Sequence, residues 1–238
     1  MERLEGIILT KRERGEADFV YSVYTKEAGR ILLLARGVRK ITAKLRPYLD
    51  TFNHIELHVV RGKTARIITD VYLKQNYSLR FSRDHFRFVQ ARRFAEFLDE
   101  QFSGEERSSE LWDFISESFR ALAMEDERYV RKQQKVFYHL IFRLSSLLGI
   151  APQLYRCVSC SQKLKTGGCF FFRFGEGGTL CSVCKKAGDI ELDENDVKLL
   201  RVFTEKEWGY TRRIKLTLDN LAFLDRISEQ FLLSSPLS

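Results

Sequence analysis

Residues 15–40 read GEADFVYSVYTKEAGRILLLARGVRK. Two runs rich in β-branched and aromatic side chains, DFVYSVYT (18–25) and GRILLLARG (29–37), meet across a Glu27–Ala28–Gly29 turn. That composition, bounded by turn residues, predicts a pair of adjacent strands. Upstream, EGIILTKRER (5–14) leads into the turn-forming stretch Arg14–Gly15–Glu16–Ala17. Downstream, FNHIELHVV (52–60) alternates, with Phe52, Ile55, Leu57 and Val59 on its apolar side, and Arg61–Gly62–Lys63 turns the chain into ARIITDVYL (65–73). Five short antiparallel strands in about 80 residues predict a small barrel or sandwich. An OB-fold fits that strand count and length best, and an SH3-like barrel stays open.

The periodicity changes near residue 81. Phe81, Phe88, Ala91, Ala95, Leu98 and Phe102 recur at helical spacing, with Ser82 placed to cap the helix. A second helix is predicted over 109–124, through Leu111, Phe114, Ile115, Phe119 and Leu122. A third runs near 128–148 and stops at Gly149. Their aromatic stripes read as core. Residues 151–190 lose the helical period, and helices resume after Asp193 and Thr217, both suited to capping. The expectation is an α+β chain: a barrel over 1–80, then an α-helical domain over 81–238 with an insertion at about 151–190.

Charge is distributed unevenly. The chain of 238 residues carries 40 Lys/Arg against 32 Asp/Glu, a formal +8, and residues 1–80 hold 16 Lys/Arg against 9 Asp/Glu, which is +7 of it. A concentrated positive field attracts polyanions. No basic amphipathic helix lies there, which favours nucleic acid over a membrane surface. The densest run is RGVRKITAKLR (36–46), with Arg36, Arg39, Lys40, Lys44 and Arg46 and no acid. Lys11, Arg12 and Arg14 end the first predicted strand, and Arg61, Lys63 and Arg66 flank another turn, so these extend the basic surface. Tyr21, Tyr24 and Tyr48 have the chemistry to stack bases, but core packing is the stronger reading. The N-terminus predicts no secretory leader and no window is apolar enough for a membrane span, so a cytoplasmic protein is expected.

The cysteines carry the sharpest signal. CVSC (157–160) and CSVC (181–184) are two CxxC pairs separated by 20 residues. Two residues between thiols let both sulfurs face one ion, and two such knuckles complete a tetrahedral S4 shell that suits Zn(II). The intervening GGCFFFRFGEGG (167–178) has turn glycines around a short strand, as a zinc ribbon requires. Cys157, Cys160, Cys181 and Cys184 are the predicted ligands. Such a closed shell stabilises the fold and has no open position for catalysis. The fifth, Cys169, reads as a buried hydrophobe. Disulfides would need an oxidising compartment, and redox CxxC motifs a strand-to-helix junction not apparent here. Arg156, Lys163, Lys165, Lys185 and Lys186 surround the knuckles. They offset the local thiolate charge or add a second phosphate contact.

No P-loop, GxGxxG, Ser/His/Asp arrangement or zinc-hydrolase motif is present, and His54 and His58 read as strand residues on one face. The expectation is a binding protein rather than an enzyme. An OB/zinc-ribbon factor acting on RNA or in transcription is the alternative.

In this order the motifs resemble the RecO family of bacterial recombination mediators. GEADFVYSVYTKEAGRILLLARGVRK is similar to its N-terminal hairpin and basic loop, LRPYLDTFNHIELHVVRGK (45–63) to its next segment, and LLGIAPQLYRCVSC (147–160) and GGTLCSVC (177–184) to its two knuckles. Ser161 stands where the family often has Gly. The resemblance implies an OB-fold that binds single- and double-stranded DNA, with Arg36, Arg39 and Lys40 in the basic-loop positions. It further implies annealing of complementary strands, partnership with RecR, contact with the C-terminal tail of single-stranded-DNA-binding protein, and help in loading RecA.

Overall fold

The computed structural model describes residues 1–39, 44–102, 104–124, 130–165 and 167–233. It divides into two compact units, Met1–Arg128 and Tyr129–Ser238.

In the first unit, β1 (Glu2–Arg14), β2 (Asp18–Thr25), β3 (Gly29–Ala35), β4 (His54–Arg61) and β5 (Arg66–Gln75) close into a barrel of order β1-β2-β3-β5-β4, with β4 returning to β1. The result is OB-like. One pairing departs from the all-antiparallel expectation: β3 and β5 run parallel, with Leu33 opposite Arg66. Closure requires it, because the 18-residue excursion between β3 and β4 brings β5 back beside β3 in the same direction as β3. Ile8, Tyr21, Val23, Leu33, Ile55, Leu57 and Val59 fill the interior. Each such side chain contributes roughly 1.5–3 kcal/mol by leaving water. A bulge at Leu9 shifts the β1–β2 register between Ile8 and Thr10, so Thr10, Arg12 and Arg14 share one face while Lys11 and Glu13 share the other.

Three helices complete this unit: α1 (Tyr77–Phe81), α2 (His85–Gln101) and α3 (Ser109–Met124). Ser82 is not the cap of the long helix; it closes α1, and Asp84 caps α2 by accepting the Arg87 N–H at 3.1 Å. Asp and Ser are comparable as N-caps; Asp84 takes the role because it directly precedes the helix. Phe52 likewise leaves its expected strand face. Its φ of +73° turns it out of the β4 register, and it lies buried beside the rings of Phe81 and Phe88 at 5.5 and 5.7 Å. Backbone bonds from Phe52 N–H to the Ile8 carbonyl (2.7 Å) and from Ile8 N–H to the Asn53 carbonyl (3.1 Å) hold that turn.

The second unit contains α4 (Val130–Leu147), the strands β6 (Phe170–Arg173), β7 (Gly178–Cys181) and β8 (Ile190–Leu192), and then α5 (Glu194–Glu205), α6 (Trp208–Thr211) and α7 (Leu218–Leu233). The strands form an antiparallel sheet of order β7-β6-β8. Gly149 takes φ +74° just after α4. Asp193 caps α5 in a reciprocal box with Asp196, and Thr217 accepts the Asn220 N–H at α7, both as the sequence predicts. The buried Tyr138 ring meets Phe203 edge-on, and its hydroxyl donates to Asp225 at 2.6 Å.

Candidate functional site

The hairpin β1–β2 and residues 36–39 after β3 build one end of the barrel together. In the register, Lys11 faces Tyr21, Glu13 faces Phe19, and Phe19 faces Ala35. The basic loop is tied to this end by backbone: Gly37 N–H donates to Asp18 Oδ1 at 2.8 Å, and Arg39 N–H donates to the Ala17 carbonyl at 3.0 Å. The Lys11 ammonium and the Arg39 guanidinium then both lie 5.9 Å from the Phe19 ring centroid. Two cations thus converge on one half-buried aromatic.

Each has an exposed acidic neighbour, Asp50 at 3.0 Å from Lys11 and Glu13 at 3.1 Å from Arg39. Exposed pairs of this kind contribute about 0–1 kcal/mol, so neither carboxylate holds its cation firmly. Arg36, Lys44 and Arg46 are exposed on the same excursion. Lys40 lies outside the described residues.

The remaining predicted cations fall into two other places. Arg12 is on the opposite face of β1, its guanidinium 3.8 Å from Asp99 of α2, and Arg14 is exposed at the end of that strand. Arg61 and Lys63 belong to the β4–β5 turn, where with Arg30, Arg66 and Glu105 they line a cavity of about 450 Å³. Tyr21 and Tyr24 are core residues, their phenols pushed up to about 12 by burial, whereas Tyr48 is exposed. Phe19, Glu13 and Asp50 are the residues that sequence reasoning passed over. Strict alternation along β1 and β2 would have put Lys11, Glu13 and Phe19 on one face; Asp50, 39 positions from Lys11, leaves no such signal.

Two of the four histidines, His54 and His139, are packed into the fold. His54 Nε2 lies 2.8 Å from Glu5, with burial lowering the ring's pKa against the carboxylate's pull. His139 is buried on α4, which drives it down to about 4.

In the second unit, Cys157, Cys160, Cys181 and Cys184 come together with all four sulfurs within 4.8 Å of one another. A first knuckle forms through Cys157 N–H to the Gln162 carbonyl and Ser161 N–H to the Cys157 carbonyl, both 2.8 Å; a second through Cys184 N–H to the Cys181 carbonyl at 3.1 Å. Ser161 adopts φ +61°, the left-handed conformation for which glycine is best suited.

A tetrahedral shell with metal–sulfur bonds of about 2.3 Å needs sulfurs about 3.8 Å apart, and Cys160 and Cys181 stand at 3.9 Å. Burial pushes the Cys157 thiol up, but N–H groups of Cys181, Cys160 and Ser159 outweigh it and bring it to about 6. Cys184, crowded by Cys181 and Cys160, is pushed up to about 12. Four thiolates need a cation between them, so the donor set fits a soft divalent ion. Arg173 braces the ribbon with a two-pronged pair to Asp189 at 2.8 and 2.7 Å and a bond to the Cys184 carbonyl. Cys169 is not the buried hydrophobe expected: it is exposed just before β6, because β6 begins one residue later and turns Phe170 inward instead.

The chain thus combines a closed OB-like barrel that carries cations at one end with a four-cysteine cluster in its second unit. Comparison with known proteins makes this specific. Residues 1–77 match the family model for the recombination protein O N terminal, and residues 82–235 the model for its C terminal. The chain belongs to the RecO family. It is 27% identical over 213 residues to the DNA repair protein RecO of Cutibacterium acnes, covering 89% of this chain and 85% of that protein. It is also 27% identical over 207 residues to the DNA repair protein RecO of a Nocardioides species, covering 87% and 84%. Among the described residues, no helix is long and apolar enough to cross a membrane.

Proposed function

We propose that this chain acts in DNA repair as a recombination mediator, binding single- and double-stranded DNA by its barrel and annealing complementary strands. In this reading residues 1–80 are the DNA-binding part and residues 81–238 the helical part with its ribbon. With RecR it helps load RecA onto DNA coated by single-stranded-DNA-binding protein, whose C-terminal tail it contacts, in the cytoplasm at the nucleoid. The observation that carries this is the convergence of Lys11 and Arg39 on Phe19, in a chain whose relatives are named DNA repair proteins.

The chemistry suits annealing. Lys and Arg hold phosphates without reading sequence, which leaves base edges free to pair. OB-folds take oligonucleotides between their β1–β2 and β4–β5 turns; here α2 covers part of the outer face of β2–β3, and Arg14, Arg61 and Lys63 stand at the turns. No covalent step is required, so the chain is not an enzyme. Zinc, held by Cys157, Cys160, Cys181 and Cys184, supplies a structural cross-link to the ribbon. The test is fluorescence-monitored annealing of complementary oligonucleotides, with RNA strands in parallel. DNA annealing accelerated well above the spontaneous rate supports the reading; RNA binding without DNA annealing overturns it.

A further inference from the structure

The β4–β5 turn gathers cationic side chains around a cavity, and Glu105 sets a carboxylate among them. Gly62 N–H donates to the Ala65 carbonyl at 2.9 Å, and a Cβ on Gly62 would meet that same oxygen at 2.8 Å, so the turn is tight and fixed. It presents Arg61 and Lys63, both exposed, to a cavity of about 450 Å³. Arg66 and Arg30 line it as well; Arg30 is paired with Asp99 at 2.7 Å, and the Arg66 Nε lies 3.4 Å from Glu2 of β1. Into this cavity reaches Glu105, from the segment that follows α2. Its two oxygens take both prongs of the Arg66 guanidinium, at 2.6 and 3.1 Å. Gly29 permits the approach: a Cβ there would meet the Glu106 carbonyl oxygen at 2.3 Å. α2 covers the neighbouring outer face of β2–β3, with Asp99 bonded to Ser22 and Arg30 and Phe102 against Tyr24.

We propose that the β4–β5 pocket is a phosphodiester site held shut by Glu105, which stands in for the phosphate that displaces it. A guanidinium takes a carboxylate and a phosphate through the same two-pronged geometry, so one exchanges for the other without rebuilding the pocket. The Glu105 side chain is half exposed, so its grip is weak enough to release. Among the described residues that line the pocket, Glu105 is the one acid, so Arg61 and Lys63 attract the incoming strand. The pocket lies beside Arg30–Leu32, at the far end of β3 from the Phe19 cluster. A strand held at both ends of β3 spans on the order of 10–15 Å. The inference rests on the DNA-binding reading above and adds a built-in competitor to it.

The test uses the full chain and single-stranded oligo-dT, with affinity measured by anisotropy over a KCl series. Glu105→Gln should tighten binding by about threefold and steepen the log-affinity against log-salt slope by about 0.7, one added phosphate contact. Glu106→Gln, equal in charge but outside the pocket, should change neither. In Glu105→Gln/Arg61→Ala/Lys63→Ala the gain should vanish. The proposal is overturned if Glu105→Gln binds as wild type, if Glu106→Gln gains equally, or if the gain survives loss of Arg61 and Lys63. Wild type that fails to bind oligo-dT at all refutes the DNA-binding reading itself, and the pocket falls with it.

Discussion

The Arg30 guanidinium of β3 donates to the Asp99 carboxylate of α2 at 2.7 Å, with both side chains largely shielded. Ser22 of β2 donates to the same oxygen and Thr10 of β1 to the other. One carboxylate on a helix therefore gathers three successive strands of the barrel. Asp99→Asn should destabilise the chain by roughly 3 kcal/mol, because it strips the charge partner from a shielded arginine. Urea unfolding of the variant reads this directly. Burial raises the Asp99 carboxyl's pKa, but the bonds from Ser22 and Arg30 outweigh it and hold it below the ordinary value. The stabilisation is thus complete above the unfolded pKa of about 3.9 and is lost as pH falls through the lower folded value. The wild-type advantage over Asp99→Asn should be constant from pH 7 to about pH 5 and shrink below that.

Zinc content is the second expectation. Protein purified under reducing conditions should hold one zinc per chain, released on titrating all four ligand thiols. Cys157→Ala should lower both zinc content and the melting temperature. Cys169→Ser, exposed and outside the cluster, should change neither. Metal-free protein with unchanged melting would contradict the structural role.

Ser161 provides a finer test of the first knuckle. At φ +61° a non-glycine residue is strained by about 1–2 kcal/mol, part of which glycine returns to the flexible unfolded chain. Ser161→Gly should raise stability by roughly 0.5 kcal/mol and Ser161→Val should lower it by more than 1 kcal/mol, since a β-branched residue tolerates this region worst. Equal stabilities of the two variants would contradict the assigned geometry.

The elements with strong periodicity were legible in the sequence. β2 and α3 fall at the predicted residues, and the paired CxxC spacing located the sulfur cluster, because two residues between thiols let both sulfurs face one ion. Long-range effects were not legible. The pairing of β3 with β5 depends on barrel closure, Phe52 turns away because helices receive it, and Asp99 reaches strands up to 89 positions distant. The basic run was correctly seen as charge, but its partition was hidden: Arg39 joins Lys11 at Phe19, while Arg12 faces Asp99 across the strand. Alternation separates Lys11 from Arg12, but a one-residue bulge at Leu9 sets which of the two turns towards Phe19, and nothing in the local composition announces it.

If phosphate contacts are made at the Phe19 end, their loss should appear as a salt effect. Lys11→Ala/Arg39→Ala should weaken oligo-dT binding irrespective of sequence and flatten the salt slope by about 1.4, two contacts at about 0.7 each. Phe19→Leu, which keeps the apolar contact and removes the ring, should lower affinity with little change in slope. An unchanged slope in the double variant would assign these cations to surface solvation.

The most direct measurement is annealing of complementary strands coated with single-stranded-DNA-binding protein, by wild type and by Lys11→Ala/Arg36→Ala/Arg39→Ala, with and without RecR. Wild type should accelerate duplex formation at least tenfold over the coated strands alone, and the triple variant should lose most of that gain while melting as wild type does. Annealing no faster than without protein, or a triple variant as active as wild type, would contradict the barrel end as the DNA-annealing surface.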